Sequence, residues 1–332
     1  MSTDANPRHA LVDLAFGFVL SSSVATAAKL RIADALRAEP RAADELAVDM
    51  QLDGRSLHRL LRTLASVGVV HEDNQSRFHL LPPGEFLCAD GPDSLRDAIL
   101  MVTQNIFWQP LGQLEHTIRS GQNGMQRIFG APFFEYFKQN AAAGATFHRG
   151  MASLSDIENG PISASYDFTP FETIVDVGGG HGGFLIEVLK RAPGSYGINY
   201  DHAHVLSEAR SDELRGRWEC LDGDFFVSAP TGDAYLLKRI LHDWTDEDCV
   251  TILRNIRAAM KPHAKVLVVD CVIPPGNGPH GGKVLDILMM SALPGRERTE
   301  EEFSQLFGAA GLRLTRVVET PELLSIVEAA AE

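Results

Sequence analysis

The sequence of 332 residues is poor in cysteine, has no excess of positive charge and contains no long apolar run. The four cysteines, Cys88, Cys220, Cys249 and Cys271, are scattered and form no CxxC pair. That spacing speaks against structural zinc and against a disulfide framework, and it fits a reducing cytoplasm. The formal net charge is −14, so the chain as a whole repels nucleic acid, whose phosphates need a basic surface. No apolar stretch reaches the roughly 18 residues of a membrane-spanning helix. The first residues, MSTDANPRHALVDLAFGFVLSSSVATAA, end in small side chains but lack a basic start and carry Asp4 and Asp13. An amphipathic packing helix, with Leu11, Leu14, Ala15, Phe18 and Val19 on its apolar side, is expected there rather than a secretory leader.

What is present is enough apolar material, 45% of residues, for one large or two medium cores. The style changes near residue 160, and the segment 153–170 carries turn formers expected at a boundary. Before it, helical patterns dominate. Ala43–Val48 reads as a short helix, Leu52-Asp53-Gly54 as a turn, and Leu57, Leu60, Leu61 and Leu64 as one face of a second helix. Val67–Val70 and Phe78–Leu80, separated by Asp73-Asn74-Gln75, read as a small hairpin. This is the pattern of a winged helix. The second helix has Arg55, Arg59 and Arg62, but the wing carries His71, Glu72 and Asp73, which is poor for DNA.

After residue 160, strand-like runs alternate with amphipathic helices. The candidate strands are Thr173–Val177, Tyr196–Tyr200, Arg217–Cys220, Ala234–Leu237, Lys265–Asp270, Leu312–Val318 and Leu323–Val327. The alternation predicts a mostly parallel, Rossmann-like α/β sheet of seven strands covered by helices, ending in an antiparallel hairpin at one edge. Thr245 and Asp248 form a capping signal before a helix striped with Cys249, Ile252, Leu253, Ile256 and Met260.

The run Asp176-Val177-Gly178-Gly179-Gly180-His181-Gly182-Gly183 is a strand end, a glycine loop and a helix start. Glycine permits the tight turn and the close approach of a ligand at the carboxyl end of the first strand. Gly178, Gly180 and Gly183 match G-x-G-x-x-G, and Asp201 ends the next strand, where an acid can bind ribose hydroxyls. Both NAD and S-adenosylmethionine satisfy that pattern. Charge favours the second, because Asp176 is a poor neighbour for a pyrophosphate and a good one for an ammonium and a sulfonium. Asp224-Phe225, after the third strand, suits an adenine: the carboxylate accepts from the exocyclic amine and the ring covers the purine face.

With these residues in place, the chain resembles the plant caffeate/isoflavone-type small-molecule O-methyltransferases and their microbial relatives. The resemblance rests on VDVGGGHGG (175–183), GDFF (223–226), LKRILHDWTDED (237–248), VLVVDCVIP (266–274) and GRERTEEEF (295–303), in the family's order and spacing. It implies a class I methyltransferase domain over 161–332. It also implies a helical, winged-helix-like domain over 1–160 that forms a homodimer and contributes to the acceptor pocket. Asp176, Gly178, Gly180, Asp201, Asp224, Phe225 and Lys238 are then expected around S-adenosylmethionine, which leaves as S-adenosylhomocysteine. His242 is expected as the catalytic base, with Asp270 and Glu297 as the acids beside it. Phe107, Trp108, Phe147, Met151, Met289 and Met290 are expected around a small aromatic acceptor. Two positions depart from the family's usual pattern. The ribose acid sits in Asn199-Tyr200-Asp201-His202, and Asp270 stands where a longer glutamate is common.

A phenol, with a pKa of about 10, is protonated at neutral pH, so a placed histidine that removes its proton during attack helps by about 10²- to 10⁴-fold. Asp243, as a neighbour of His242 in the chain, is expected to point elsewhere. No metal set stands out, since His202 and His204 lack a third ligand. C- or N-methylation on the same fold, a NAD oxidoreductase and a winged-helix ligand sensor are the competing readings. Neither nucleic acid nor membrane is expected as a partner.

Overall fold

The computed structural model describes residues 6–91, 93–207, 209, 214 and 216–332; Asp4 lies outside them. The chain forms two interleaved compact units, one of residues 1–105 and 140–154, the other of residues 106–139 and 155–332. A single cut near 160 does not describe this division, because the stretch 106–139 clusters with the C-terminal unit.

In the first unit, α1 (Pro7–Ala15) and α2 (Gly17–Leu30) open the chain. Ala25, Ala27 and Ala28 of α2 are buried, but the larger apolar residues Leu11, Leu14, Phe16 and Phe18 are all more than half exposed. Among the described residues no single helix is long and apolar enough to cross a membrane; α1 and α2 together pass that test only as a pair bent by 43°. β1 (Arg41–Ala42), α3 (Ala43–Met50), α4 (Gly54–Ser66), β2 (Val70–Glu72) and β3 (Arg77–Leu80) follow, with strand order β1-β3-β2. Asp53 caps α4 by accepting from the Ser56 amide at 2.8 Å. Leu57, Leu61 and Leu64 form the buried stripe of α4 and pack with Leu46, Val70 and Phe78. The winged-helix expectation therefore matches these elements in order and type.

The second unit contains α5 (Phe133–Gln139) and the C-terminal part of α6 (Ala141–Ala164). The turn expected from residue 153 onward is helix as far as Ala164. Ile162 and Ser163 are fully buried there, and packing overrides the turn preference of Asn159, Gly160 and Pro161.

A seven-stranded sheet follows in the same unit: β4 (Thr173–Val177), β5 (Tyr196–Asp201), β6 (Trp218–Asp222), β7 (Gly232–Lys238), β8 (Met260–Asp270), β9 (Leu312–Val318) and β10 (Ser325–Ala331). The order is β6-β5-β4-β7-β8-β10-β9. All neighbours are parallel except β10, which runs antiparallel to both β8 and β9. This is the class I methyltransferase arrangement. Apolar clusters cover both faces of the sheet, which is why the central strands read as unbroken apolar runs. α7 (Gly183–Arg191), α8 (Asp246–Ala259), α9 (Gly281–Ala292) and α10 (Glu300–Ala309) complete the unit. Met260, expected on the stripe of α8, instead begins β8, where it pairs with Gly232 of β7.

Candidate active site

The chain order reverses between β4 and β7, so their carboxyl ends open a crevice of the kind where ligands of such sheets bind. The glycine loop follows β4. Gly178, Gly180 and Gly182 have φ of 69°, 58° and 80°, which side-chain-bearing residues rarely adopt. A Cβ on Gly180 would meet nothing within 4 Å, so this edge of the loop faces open space. The Asp201 carboxylate accepts from the Gly180 amide at 3.0 Å and from the His202 amide at 2.7 Å. Asn199, fully buried, donates from Nδ2 to the Gly180 carbonyl at 2.9 Å. Asn199, a departure from the family's usual pattern, thus braces the loop from below.

Asp176 is 1% exposed, and among the described residues its Oδ2 has no hydrogen-bond partner. Burial pushes its carboxyl up to about 7, with Asp201 adding to the rise and Lys238 opposing it. Lys238, at the end of β7, donates to Ser155 Oγ at 3.0 Å and lies 3.5 Å from Glu158. Burial lowers its ammonium to about 8, against the pull of Glu158 and Asp176. Asp176, Asp201 and Asp224 thus stand at or just beyond the carboxyl ends of three adjacent strands. The Asp224 carboxylate accepts from the Phe226 amide at 2.8 Å. The Phe225 ring approaches Gly178, and Ile240 closes over the same glycine.

His242 lies two residues past Ile240, in a single 3₁₀ turn (Leu241–Asp243), and is 6% exposed. Its Nδ1 is 2.7 Å from Oε1 of Glu297, itself 3% exposed. A carboxylate only accepts, so in the neutral ring the proton sits on Nδ1 and Nε2 is the atom that takes a second one. Contrary to the sequence expectation, Asp243 Oδ1 comes within 3.4 Å of Nε2, because a one-turn 3₁₀ segment has no regular helical faces to keep neighbours apart. Asp270, at the end of β8, is fully buried, and among the described residues neither of its oxygens has a hydrogen-bond partner. It acts on His242 through charge. Burial alone would depress the imidazole, but Asp243, Glu297 and Asp270 together outweigh it and raise His242 to about 9. Burial in turn raises Asp270 to about 7 and Asp243 to about 6.

Two residues that sequence reasoning passed over hold this turn. A Cβ on Gly295 would sit 2.1 Å from the His242 carbonyl oxygen, so only glycine lets the 295–298 segment lie against the turn. Arg298, 1% exposed, bonds the carbonyls of Leu241 and Trp244. Of the residues expected around an acceptor, Phe107 and Met289 are buried and Trp108 and Met290 half-buried in the second unit. Phe107 packs on Phe133 with ring centroids 5.4 Å apart, an ordinary core contact. The Gly124 amide donates to the Ser291 carbonyl at 3.0 Å, tying the stretch 106–139 to α9. Phe147 and Met151 are half-buried and belong to the first unit.

Residues 111–313 match the model of an O-methyltransferase domain, and residues 12–89 match an O-methyltransferase dimerisation domain. The chain belongs to the O-methyltransferase family. It is 36% identical to a phenazine O-methyltransferase of Lysobacter antibioticus, over 96% of this chain and 95% of that protein. Its fold superimposes on the methyltransferase of calicheamicin biosynthesis, solved with S-adenosylhomocysteine bound. The TM-score is 0.90 at 38% identity, over 99% of this chain and all of the other. An 8-amino-8-demethylriboflavin N,N-dimethyltransferase of Streptomyces davaonensis is 32% identical over 96% of this chain and 92% of its own length. This methyltransferase uses S-adenosylmethionine, and its N-terminal match supports a homodimer. The exposed apolar residues of α1 and α2 lie largely within that match. Among the described residues, no group of three or more His, Cys, Asp or Glu could hold a metal ion.

Proposed function

We propose that the protein methylates a hydroxyl of a small aromatic acceptor and that His242 takes the hydroxyl proton. The observation that carries this reading is the fixed ring of His242: Nδ1 is tied to Glu297, and Nε2 is left as the basic atom in a buried, acid-lined turn. S-adenosylmethionine, when bound, supplies a methyl group on a positively charged sulfur. The cradle fits it in charge and shape. Asp176, with a buried unpartnered oxygen, accepts from the ammonium end. The glycine loop admits a close backbone approach, Asp201 receives the ribose hydroxyls, Asp224 and Phe225 take the adenine, and Lys238 holds the floor beside Asp176. Phe107, Trp108, Met289 and Met290, all of the second unit, supply surroundings for the aromatic acceptor. The phenazine named for one relative is a ring system of the required flat kind.

Raising His242 has a chemical purpose. A phenol's pKa is about 10. A base whose conjugate acid lies at about 9 receives that proton at little cost, whereas an ordinary histidine, near 6.5, would receive it uphill. Glu297 orients the ring, and Glu297, Asp243 and Asp270 stabilise its protonated form.

The same charge sets the pH dependence. A histidine already protonated cannot act as a base, so its raised pKa means that neutral imidazole is gained as pH climbs toward about 9. The rate of methyl transfer at saturating S-adenosylmethionine should therefore rise with pH through a midpoint above the ordinary histidine value. Glu297→Gln, which removes one flanking charge, should move that midpoint down and lower the plateau. A midpoint unaffected by Glu297→Gln would separate the pH response from His242 and count against the assignment.

A further inference from the structure

We propose that Arg298 is the positioning residue that fixes His242 against Glu297, by gripping the turn that carries the histidine; this rests on the reading of His242 as the base. The segment Gly295–Arg298 lies on that turn. Glu297 sends its carboxylate to the imidazole, and the next residue sends its guanidinium to the backbone on either side of the histidine. Nη1 of Arg298 donates to the Leu241 carbonyl at 2.8 Å, and Nη2 donates to the Trp244 carbonyl at 3.3 Å. The same guanidinium reaches Asp246 Oδ1 from Nη2 at 2.7 Å and from Nε at 3.1 Å. Asp246 is the first residue of α8, and its other oxygen accepts from Arg296 at 2.8 Å. The Arg298 carbonyl accepts from the Ile273 amide at 2.9 Å, just past Asp270 at the end of β8. One side chain and its own backbone therefore join the His242 turn, the start of α8 and the exit of β8.

The geometry is specific to arginine. A planar fork with five donors can serve two carbonyls and one carboxylate together; a lysine ammonium is a compact point charge and cannot span them. Burying a guanidinium this completely costs free energy unless every partner is in place, so the side chain constrains its partners as firmly as they hold it. A shift of the Leu241–Asp243 turn moves the imidazole directly, since only His242, Asp243 and Trp244 lie between those two carbonyls.

The test uses full-length Arg298→Lys, Asp246→Asn, His242→Ala and the Arg298→Lys/His242→Ala double variant. Turnover is followed with whichever phenol reacts fastest in a panel of hydroxyphenazines, hydroxynaphthoates and hydroxybenzoates. The His242 titration is followed by ¹³C NMR of the ligand-free protein, assigned by its loss in His242→Ala. Arg298→Lys should lose on the order of 10²-fold in kcat while binding S-adenosylmethionine normally, since misplacement of a reacting group by about 1 Å costs that much. Its His242 titration should move toward the ordinary histidine value as the Glu297 contact loosens. The double variant should be no slower than His242→Ala alone, because the two residues act through one group. Should Arg298→Lys fail to fold, Asp246→Asn, whose side chain is 47% exposed, should show the same titration shift. A folded Arg298→Lys with wild-type kcat and an unmoved titration, or losses that multiply in the double variant, would overturn the positioning role alone. A fully active His242→Ala would overturn the base reading and this inference with it.

Discussion

His242→Ala should lower methyl transfer to a phenolic acceptor by about 10²- to 10⁴-fold, the usual worth of a placed general base. Its affinity for S-adenosylmethionine, measured by calorimetry, should stay close to that of the wild type. The separation of the two effects follows from the site. His242 belongs to the turn after β7, whereas the glycine loop and Asp201 belong to β4 and β5. The loss should also shrink as pH rises toward the acceptor's own pKa, because a phenol that has ionised in solution needs no base. An equal loss at every pH would point to damage in the fold or in acceptor binding, not to a missing proton acceptor.

Gly179→Ala should weaken S-adenosylmethionine binding by roughly 10- to 100-fold, corresponding to the ~1–3 kcal/mol typical of overpacking a tight site. A Cβ at Gly179 would lie 2.2 Å from Asn199 Oδ1 and 2.7 Å from the Asp176 carboxylate. Neither neighbour can yield cheaply. Asn199 is fully buried and bonded to the Gly180 carbonyl, and Asp176 is the strand-end carboxylate under the loop. A methyl group there must therefore lift the loop or displace Asp176. Gly194→Ala is the control, since its Cβ would meet nothing within 4 Å. Unchanged affinity in a folded Gly179→Ala protein would place the cofactor somewhere other than this loop.

Much of the fold was legible because its signals are local. Strand β4 is an apolar run that ends in glycines, α4 has a leucine stripe at helical spacing, and Thr245 starts α8 with a side chain that accepts from the Asp248 amide. Glu297 beside His242 was legible only through the resemblance, because the two are 55 residues apart and nothing local pairs them. Other features were hidden for physical reasons. Arg298 sits in a charged, surface-like stretch, GRERTEEEF, and a fully buried arginine is rare enough that composition points the wrong way. Asn199 looked like a mismatch because its work, bracing Gly180 from beneath, depends on the register of β5 against β4. The helical state of residues 153–164 was masked by asparagine, glycine and proline, whose local preferences give way to the burial of Ile162 and Ser163. The rule that turns chain neighbours apart holds for regular helices, and the 3₁₀ turn that brings Asp243 to His242 is not one.

The central claim is transfer to oxygen with a protein-held proton acceptor, and one family relative acts on nitrogen. A neutral aryl amine already offers its lone pair, so it does not depend on a base as a phenol does. The most direct measurement is mass spectrometry and NMR of the product formed from methyl-labelled S-adenosylmethionine and the aromatic panel, carried out with wild type and His242→Ala. The label should appear on a ring hydroxyl oxygen with the wild type and be nearly absent with the variant. A label on carbon or nitrogen, or on oxygen at equal rates in both proteins, would contradict the account.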